Sequence, residues 1–250
     1  MTKVAATVPF PRVQYPEQSL HGRTVHAIGR RIVQGDLRPG DLLPSEPELG
    51  ASRTVVREAI KVLAAKGLVE SRPKTGTRVR RRDQWNLLDP DVLAWLQDGD
   101  LSQQLLRKLT EVRRIIEPAA AELAAARAGA REVAVMEQAL AQMTRAARLP
   151  DVDVEAFVQA DMTFHLAIVQ ACQNDLLEQM SRVVYSALLV SFRATTRAPG
   201  RAKAALPKHR AILDAIRDRD PHSAATAMRH LVQRTAREID ALTMRPQTRR

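Results

Sequence analysis

The chain has 250 residues and is 45% hydrophobic, which suffices for one large domain or two modest domains with a sizeable core. Its one cysteine, Cys172, excludes an internal disulfide and suits a reducing cytoplasm, and no run of apolar residues approaches the roughly 18 that a membrane span requires. The net charge is +11, and residues 1–83 carry 16 Lys and Arg against 8 Asp and Glu, whereas residues 84–250 carry 23 against 20. The first third therefore favours a polyanionic partner such as nucleic acid, because no apolar anchor supports the alternative of a membrane surface.

The first 50 residues predict an arm followed by a helix and a turn. Residues 1–18 contain three prolines and no sustained hydrophobic period, which is typical of a flexible arm. Apolar residues then recur at helical spacing between Leu20 and Gln34, and Gly35 is a helix stop. Ser45 is placed as the N-cap of the next element.

The segment from Ser52 to Gly67 predicts an amphipathic helix with a serine N-cap and a glycine stop. Its first turns present Arg53, Thr54 and Arg57 together. Arginines at a helix N-terminus are locally unfavourable because the helix dipole repels them, and a polyanion would offset that cost. We therefore expect these side chains to contact phosphates and base edges in the DNA major groove.

A basic-tipped β-hairpin is predicted directly after this helix. Its strands are expected at Leu68–Arg72 and Thr77–Arg80, with a turn at residues 73–76. A helix followed at once by such a hairpin is typical of a winged helix-turn-helix. The alternative is an ordinary amphipathic helix and hairpin with solvated charges, which does not account for the agreement between helix, hairpin and charge. An arginine-rich linker, residues 80–83, follows.

The remainder of the chain predicts an all-helical domain. Sparse aromatics (3%) and abundant Ala and Leu favour helices packed closely through small side chains. The expected helices span residues 90–96, 102–127 (bent near Pro118), 130–145, 154–172, 175–196, 207–219 and 221–243. The fold class is thus mainly α, with an N-terminal winged helix-turn-helix and a C-terminal all-α helical bundle.

A histidine and carboxylate cluster is possible in the second half. Asp161 and His165 lie four residues apart and share a helix face, while His209 and His230 lie on later predicted helices. Three imidazoles and one carboxylate would hold a divalent first-row metal and leave positions open for water or a ligand. Only the first pair is local, so spacing alone leaves open that the histidines have unrelated roles.

Several motifs resemble the GntR family of bacterial transcription regulators, FadR subfamily. The first domain is similar to the winged helix of that family, and the second to its all-helical FCD effector domain. The matching stretches are Leu43-Pro-Ser-Glu46, Ser52-Arg-Thr-Val-Val-Arg-Glu-Ala59, Leu63-Ala-Ala-Lys-Gly-Leu-Val69, Lys74-Thr-Gly-Thr77, Glu111-Val-Arg-Arg-Ile-Ile-Glu-Pro118, Asp161-Met-Thr-Phe-His165, His209 and His230. The resemblance covers about residues 20–243.

The resemblance implies site residues and partners. It implies a homodimer on a short palindromic operator of double-stranded DNA. Residues 85–95 are similar to regulators of sugar-acid catabolism such as galactonate-type repressors. The implied metal ligands are Asp161, His165, His209 and His230, for zinc, nickel or manganese; the implied DNA contacts are Arg53, Thr54 and Arg57, with Lys74, Thr75 and Gly76 at the wing tip.

One stretch departs from the family pattern. Only residues 47–51 lie between the Leu-Pro-Ser-Glu motif and Ser52, which is fewer than family members usually carry. The first helix of the helix-turn-helix is then barely one turn long and offers few apolar contacts to hold the recognition helix.

Together these patterns predict a DNA-binding repressor controlled by a small carboxylate, and not an enzyme. The expected domains are residues 19–82 and 83–245, flanked by the arm and by a tail at 246–250. The carboxylate is expected to complete the coordination shell of the metal and to pair with Arg113 or Arg114. The alternatives are a helical metalloenzyme, which lacks a base-bearing motif such as His-Glu-x-x-His, and a regulator with a defective DNA-binding domain.

Overall fold

A computed structural model of the protein describes residues 15–72, 74–97, 102–148, 152–196 and 200–243. The described chain is mainly α-helical with one two-stranded sheet, so the predicted fold class is confirmed. It forms two compact units that divide between Leu105 and Leu106. The elements are α1 Leu20–Gln34, α2 Glu46–Leu49, α3 Arg53–Ala65, β1 Val69–Arg72, β2 Gly76–Val79, α4 Pro90–Gln97, α5 Ser102–Arg127, α6 Ala130–Arg148, α7 Val154–Ala171, α8 Asp175–Thr196, α9 Arg201–Arg217 and α10 Pro221–Thr243. The predicted tail and the first 14 residues of the predicted arm lie outside the described residues.

In the first unit, α3 packs on α1 through the apolar stripe that the sequence predicted. Val56 and Leu63 are buried on that side of α3. Ser52 caps the helix by accepting a hydrogen bond from the Val55 N–H. The helix ends where Gly67 adopts a left-handed φ of +76°. A side chain could not replace that glycine, since an added Cβ would lie 2.5 Å from the Gln84 carbonyl oxygen.

The helix before α3 is as short as the sequence predicted. α2 has four residues, none of them buried, and it is held locally by a capping box between Ser45 and Glu48. Gly50 ends it in a left-handed conformation. Since α2 contributes no buried side chain, the position of α3 depends mainly on its packing against α1.

The hairpin is antiparallel and pairs Val69 with Val79. Both strands are slightly offset from the predicted ranges, since β1 begins one residue later and β2 spans residues 76–79. Leu42 adds an isolated bridge to Arg78, which ties the loop before α2 to β2 on the edge opposite β1. The turn places both Lys74 and Gly76 at positive φ.

The helix α4 packs on α1 within the first unit. The Trp95 ring is buried against Gly29, where an added Cβ would lie 2.4 Å from the ring, and its indole N–H donates to His26 Nδ1 at 3.0 Å. Lys66 Nζ, at the end of α3, lies 2.9 Å from Asp89 Oδ1 and 2.7 Å from Asp91 Oδ2. Residues up to α4 therefore pack with the winged helix, whereas the sequence had placed the start of the helical domain at residue 83.

The second unit is a helical bundle. α6 packs on α7 and α9, α7 on α8, and α9 on α10. Four alanines of α5 are completely buried, as expected for close packing through small side chains: Ala120, Ala121, Ala124 and Ala125. No described helix is both long and apolar enough to cross a membrane.

Most helices of this unit begin and end near their predicted positions, but α9 does not. The sequence placed its start at Pro207, because proline is favoured in the first turn of a helix. The helix instead begins at Arg201, after Gly200 with φ +75°, and continues through Pro207. Proline lacks an N–H, so the Lys203 carbonyl loses its usual helical partner, a cost that the buried packing of α9 outweighs. Arg201 and Ala202 thereby become part of the helix.

Candidate functional site

A cavity lies within the helical unit, among five of its helices. Its volume is about 60 Å³, which corresponds to roughly four to six water molecules. The lining residues come from α5, α7, α8, α9 and α10: Arg113, Phe157, Asp161, His165, Thr196, Arg201, Ala202, Ala205, His209, Leu231, Thr235 and Glu238.

Three of the predicted metal ligands meet at one side of this cavity. Asp161, His165 and His209 are all buried, and one ligand atom from each lies within 4.8 Å of the others. His209 Nε2 is 2.8 Å from Asp161 Oδ1, and His165 Nε2 is 3.9 Å from the same oxygen. Asp161 and His165 lie on α7, whose other buried side chains are mostly apolar, so these two polar groups need polar partners.

The outer ring nitrogens of both histidines face acceptors. His209 Nδ1 lies 3.0 Å from the Ala205 carbonyl oxygen, and His165 Nδ1 lies 3.2 Å from Glu117 Oε2. The His165–Glu117 contact is an electrostatic one, since His165 Nδ1 makes no hydrogen bond of good geometry within the described chain. If the proton of each neutral ring lies on Nδ1, facing these acceptors, each Nε2 carries a lone pair directed towards Asp161. His209 Nε2 makes no hydrogen bond within the described chain. A lone pair only 2.8 Å from a carboxylate oxygen is repulsive unless a cation, either a proton or a metal, lies between them. The donor set therefore fits a divalent metal.

Glu117 supports this cluster from behind. Its carboxylate accepts hydrogen bonds from the Arg113 guanidinium and, at 3.1 Å, from the Tyr185 hydroxyl. Burial alone would raise the pKa of Glu117, but Arg113 and His165 hold it well below its ordinary value. Burial likewise opposes ionisation of Asp161, yet a proton on His209 Nε2, together with the nearby His165 and Arg113, lowers the pKa of Asp161 when no metal is bound. Both carboxylates are therefore charged and available to cations at neutral pH.

Burial also raises the pKa of Tyr185 well above its ordinary value, and the neighbouring Glu117 carboxylate raises it further. The Tyr185 hydroxyl consequently stays protonated and acts as a donor. Arg113, Glu117, Tyr185 and His165 thus form one buried network that fixes the orientation of the His165 ring.

The structure does not bring every predicted site residue to the cavity. His230 is exposed and lies outside the cluster, because α10 turns Leu231, Thr235 and Glu238 towards the cavity and position 230 is rotated away. The geometry therefore supports three protein ligands where the sequence suggested four. Arg114 is exposed on α5, away from the cavity. Arg113 does line the cavity, but it is bonded to Glu117.

Sequence reasoning missed several polar residues of this region, among them Glu117, Tyr185, Arg201, Thr235 and Glu238. The spacing of Arg113 and Glu117, four residues apart on one helix, was an available signal for their ion pair. Arg201 was missed because α9 was expected to start at Pro207. Glu238 and Tyr185 reach this region only through the packing of α10 and α8, which no local pattern reveals.

The predicted DNA-contacting residues are accessible in the first unit. Arg53, Thr54 and Arg57 are exposed at the start of α3, and no ion pair engages either arginine within the described chain. The wing-tip residues, Lys74, Thr75 and Gly76, are also exposed. By contrast, Lys61, further along α3, pairs with Glu58 at 2.7 Å. Unneutralised cations are therefore present at the N-terminal end of this helix and at the wing tip.

Comparison with known proteins gives two family matches. Residues 20–79 match the gntR family of bacterial regulatory proteins. Residues 108–234 match the FCD domain family. The two matches fall in the two compact units, and α4 lies in sequence between the matched ranges but belongs to the first unit.

Several curated relatives are regulators of transcription. The galactonate operon transcriptional repressor of Escherichia coli K12 is 35% identical over 226 residues, covering 88% of this chain and 97% of the relative. The HTH-type transcriptional regulator LutR of Bacillus subtilis 168 is 35% identical, covering 66% of this chain and 73% of that protein. Among solved structures, Lar, which controls the expression of the Listeria monocytogenes agr system, has a TM-score of 0.62 at 19% identity, covering 90% of this chain and 98% of that one. That structural similarity supports the fold alone.

Proposed function

This chain belongs to the GntR family of bacterial regulatory proteins, with an FCD domain as its second half, and we propose that it is a metal-dependent, carboxylate-responsive repressor. It is a DNA-binding transcription regulator, and the alternative of a metalloenzyme is not supported by its family or relatives. The finer proposal concerns how the FCD cavity controls DNA binding.

The observation that carries the proposal is the convergence of Asp161, His165 and His209 on one cavity wall. Two imidazoles and a carboxylate suit zinc, nickel or manganese, and this ligand set does not discriminate among the three metals. A divalent metal held there supplies a Lewis-acidic position for an oxygen ligand. Glu117 orients His165, and the Ala205 carbonyl orients His209, so the protein presents both Nε2 atoms in a fixed arrangement.

The charges of the cavity favour an anionic effector. Arg113 is paired with Glu117, and the Glu238 carboxylate is shared by Arg201 at 3.4 Å and Arg234 at 2.8 Å, so neither carboxylate leaves a net negative charge. Asp161 is the remaining lining carboxylate. A divalent cation on Asp161 would leave the cavity with a net positive charge, which matches an anion such as a carboxylate. The galactonate repressor among the relatives supports a sugar acid as the effector.

The DNA-binding unit would act as a pair. One winged helix contacts a single half-site, which is usually too weak to select one operator in a genome. We infer a homodimer on a palindromic operator, with Arg53, Thr54 and Arg57 in the major groove and the Lys74–Gly76 turn on the backbone. The effector would change operator affinity by favouring one arrangement of the two winged helices.

Metal analysis of the full chain tests the proposal. After purification without chelator, elemental analysis should find one divalent metal per chain, and zinc added to protein from which that metal has been removed should raise the melting temperature. At free zinc about 100-fold above its dissociation constant, the stabilisation is about 2.7 kcal/mol. His209→Ala should abolish both effects.

His230→Ala is the matched control, since it also removes one histidine but from an exposed position. It should bind zinc as the wild type does. If the wild type holds no metal and zinc does not raise its melting temperature, the three buried side chains are structural and the proposed mechanism is wrong. If His230→Ala loses the metal, the three-ligand assignment is wrong.

A further inference from the structure

The cavity has a second polar wall, formed by residues that are not among the metal ligands. Arg201 is the first residue of α9, and His209 follows it by eight positions, or about 12 Å along the helix axis. Thr235 and Glu238 lie three positions apart on α10 and therefore on one face, which lines the same cavity. Arg201, Thr235 and Glu238 form what we term the distal wall.

The distal wall has unused hydrogen-bonding capacity. Arg201 Nη1 is buried and lies 3.4 Å from Glu238 Oε2, but it forms no hydrogen bond within the described chain. Thr235 Oγ1 donates to the Leu231 carbonyl at 3.2 Å, which leaves its oxygen free to accept. A buried N–H that makes no hydrogen bond is costly even beside a carboxylate, so this wall suits a ligand that supplies the missing hydrogen bonds.

The carboxylate of the distal wall is held in place. Glu238 Oε1 accepts from Arg234 Nε at 2.8 Å, and Arg234 Nη1 donates to the Ala204 carbonyl at 3.2 Å. Arg234 thus braces α10 against α9 and fixes Glu238 beside Arg201. The second oxygen of Glu238, Oε2, remains directed towards the cavity side that Arg201 occupies.

We propose that the distal wall recognises hydroxyl groups and that the effector is therefore a polyhydroxy monocarboxylate. A hydroxyl donates and accepts at once, so it can donate to Glu238 while accepting from Arg201. A second carboxylate at this end would satisfy Arg201 but would face Glu238 across a short gap. This inference rests on the proposed function, in which the effector carboxylate lies at the metal end.

The size of the cavity also favours a polyhydroxy acid over a smaller hydroxy acid. About 60 Å³ accommodates roughly four to six waters, which occupy about 120–180 Å³ in the liquid. A three-carbon hydroxy acid displaces only part of that water and reaches only the metal end. It would leave the distal wall unengaged, whereas a six-carbon aldonate reaches both ends.

Calorimetry on the zinc-loaded full-length protein tests this assignment with three probes: galactonate, its dicarboxylate counterpart galactarate, and lactate. We expect galactonate to bind at least 10-fold more tightly than either of the others. Arg201→Gln and Thr235→Val should each weaken galactonate binding, by about 10-fold or more for Arg201→Gln, and change lactate binding less than 3-fold. Both variants should bind zinc as the wild type does.

Lys203→Gln is the matched control, because it removes an exposed cation from the same turn of α9. It should leave all three affinities unchanged. Equal affinity of the wild type for galactonate and lactate would overturn the assignment of the distal wall to hydroxyl recognition. The proposed function, a metal-dependent regulator, would be unaffected by that result. Tightest binding of galactarate, or equal losses for galactonate and lactate in Arg201→Gln, would show that Arg201 binds a carboxylate and would overturn the assignment to hydroxyls. If zinc itself does not bind, the proposed function is wrong, and the assignment of the distal wall, which rests on it, is overturned with it.

Discussion

Replacing Glu117 by glutamine is expected to weaken both the helical unit and the metal centre. Glu117 and Arg113 are each 2% exposed, so their ion pair is buried without solvent screening. Removing one partner of a buried pair costs about 3–5 kcal/mol, because the other charge stays buried without compensation. Glutamine keeps the volume and can still accept from Tyr185, so we expect a loss near the lower end, about 3 kcal/mol.

The same substitution removes the carboxylate beside His165 Nδ1, which lies 3.2 Å away. Loss of such a partner typically lowers metal affinity about 10–100-fold. Urea unfolding of the metal-free protein, followed by far-ultraviolet circular dichroism, measures the first effect. Competition with a chromogenic zinc chelator measures the second.

Glu111→Gln provides the control, since it removes an exposed carboxylate from the same helix. The double variant Arg113→Met with Glu117→Met should recover part of the lost stability, because it removes the uncompensated charge. It should not recover zinc affinity. If Glu117→Gln unfolds at the same urea concentration as Glu111→Gln and binds zinc as the wild type does, the buried network has neither of the roles described.

Three further predictions address the other parts of the molecule. Arg57→Ala should weaken operator binding by about 1–3 kcal/mol and relax the sequence preference. Lys74→Ala should instead weaken binding to all DNA and lower its salt dependence. Fluorescence anisotropy on operator and random duplexes measures both, and an equal loss of affinity of Arg57→Ala for the two duplexes would refute the base contact. Burial raises the pKa of Cys172 to about 11, so at pH 8 about one thiol in a thousand is ionised. Thiol reagents should therefore label Cys172 far more slowly in the native than in the urea-unfolded protein, and equal labelling rates would contradict its burial. Gly29→Ala should destabilise the first unit by about 1–3 kcal/mol, since the added Cβ would lie 2.4 Å from the Trp95 ring. An unfolding curve followed by tryptophan fluorescence that does not differ from that of the wild type would refute this contact.

The sequence predicted those helices whose ends depend on local chemistry. Gly35 and Gly67 end α1 and α3 in left-handed conformations, as glycines after an apolar period should. Pro221 begins α10, where a first-turn proline is tolerated. The same rule failed at Pro207, because tertiary packing extended α9 by one and a half turns before the proline. Local sequence does not reveal the packing of α9, so it could not show that this packing outweighs the one hydrogen bond lost at Pro207.

The site was predictable only in part, for the same reason. Asp161 and His165 were recognisable from their spacing on one helix, and His209 from a family resemblance. His230 depended on how α10 is rotated, which follows from the packing of α9 on α10 and not from local sequence. Arg201 and Glu238 likewise meet only because α9 and α10 are packed side by side.

The central claim is that the metal-centred cavity controls DNA binding, and one titration tests it most directly. Zinc-loaded full-length protein would be titrated onto DNA from the upstream region of its own gene, with and without saturating galactonate, for the wild type and for His209→Ala. Couplings between an effector site and a second site typically amount to about 5–150-fold in affinity. We expect galactonate to weaken operator binding of the wild type by an amount in that range and to leave His209→Ala unchanged. Equal operator affinity of the wild type with and without galactonate, or an equal response in His209→Ala, would contradict the account.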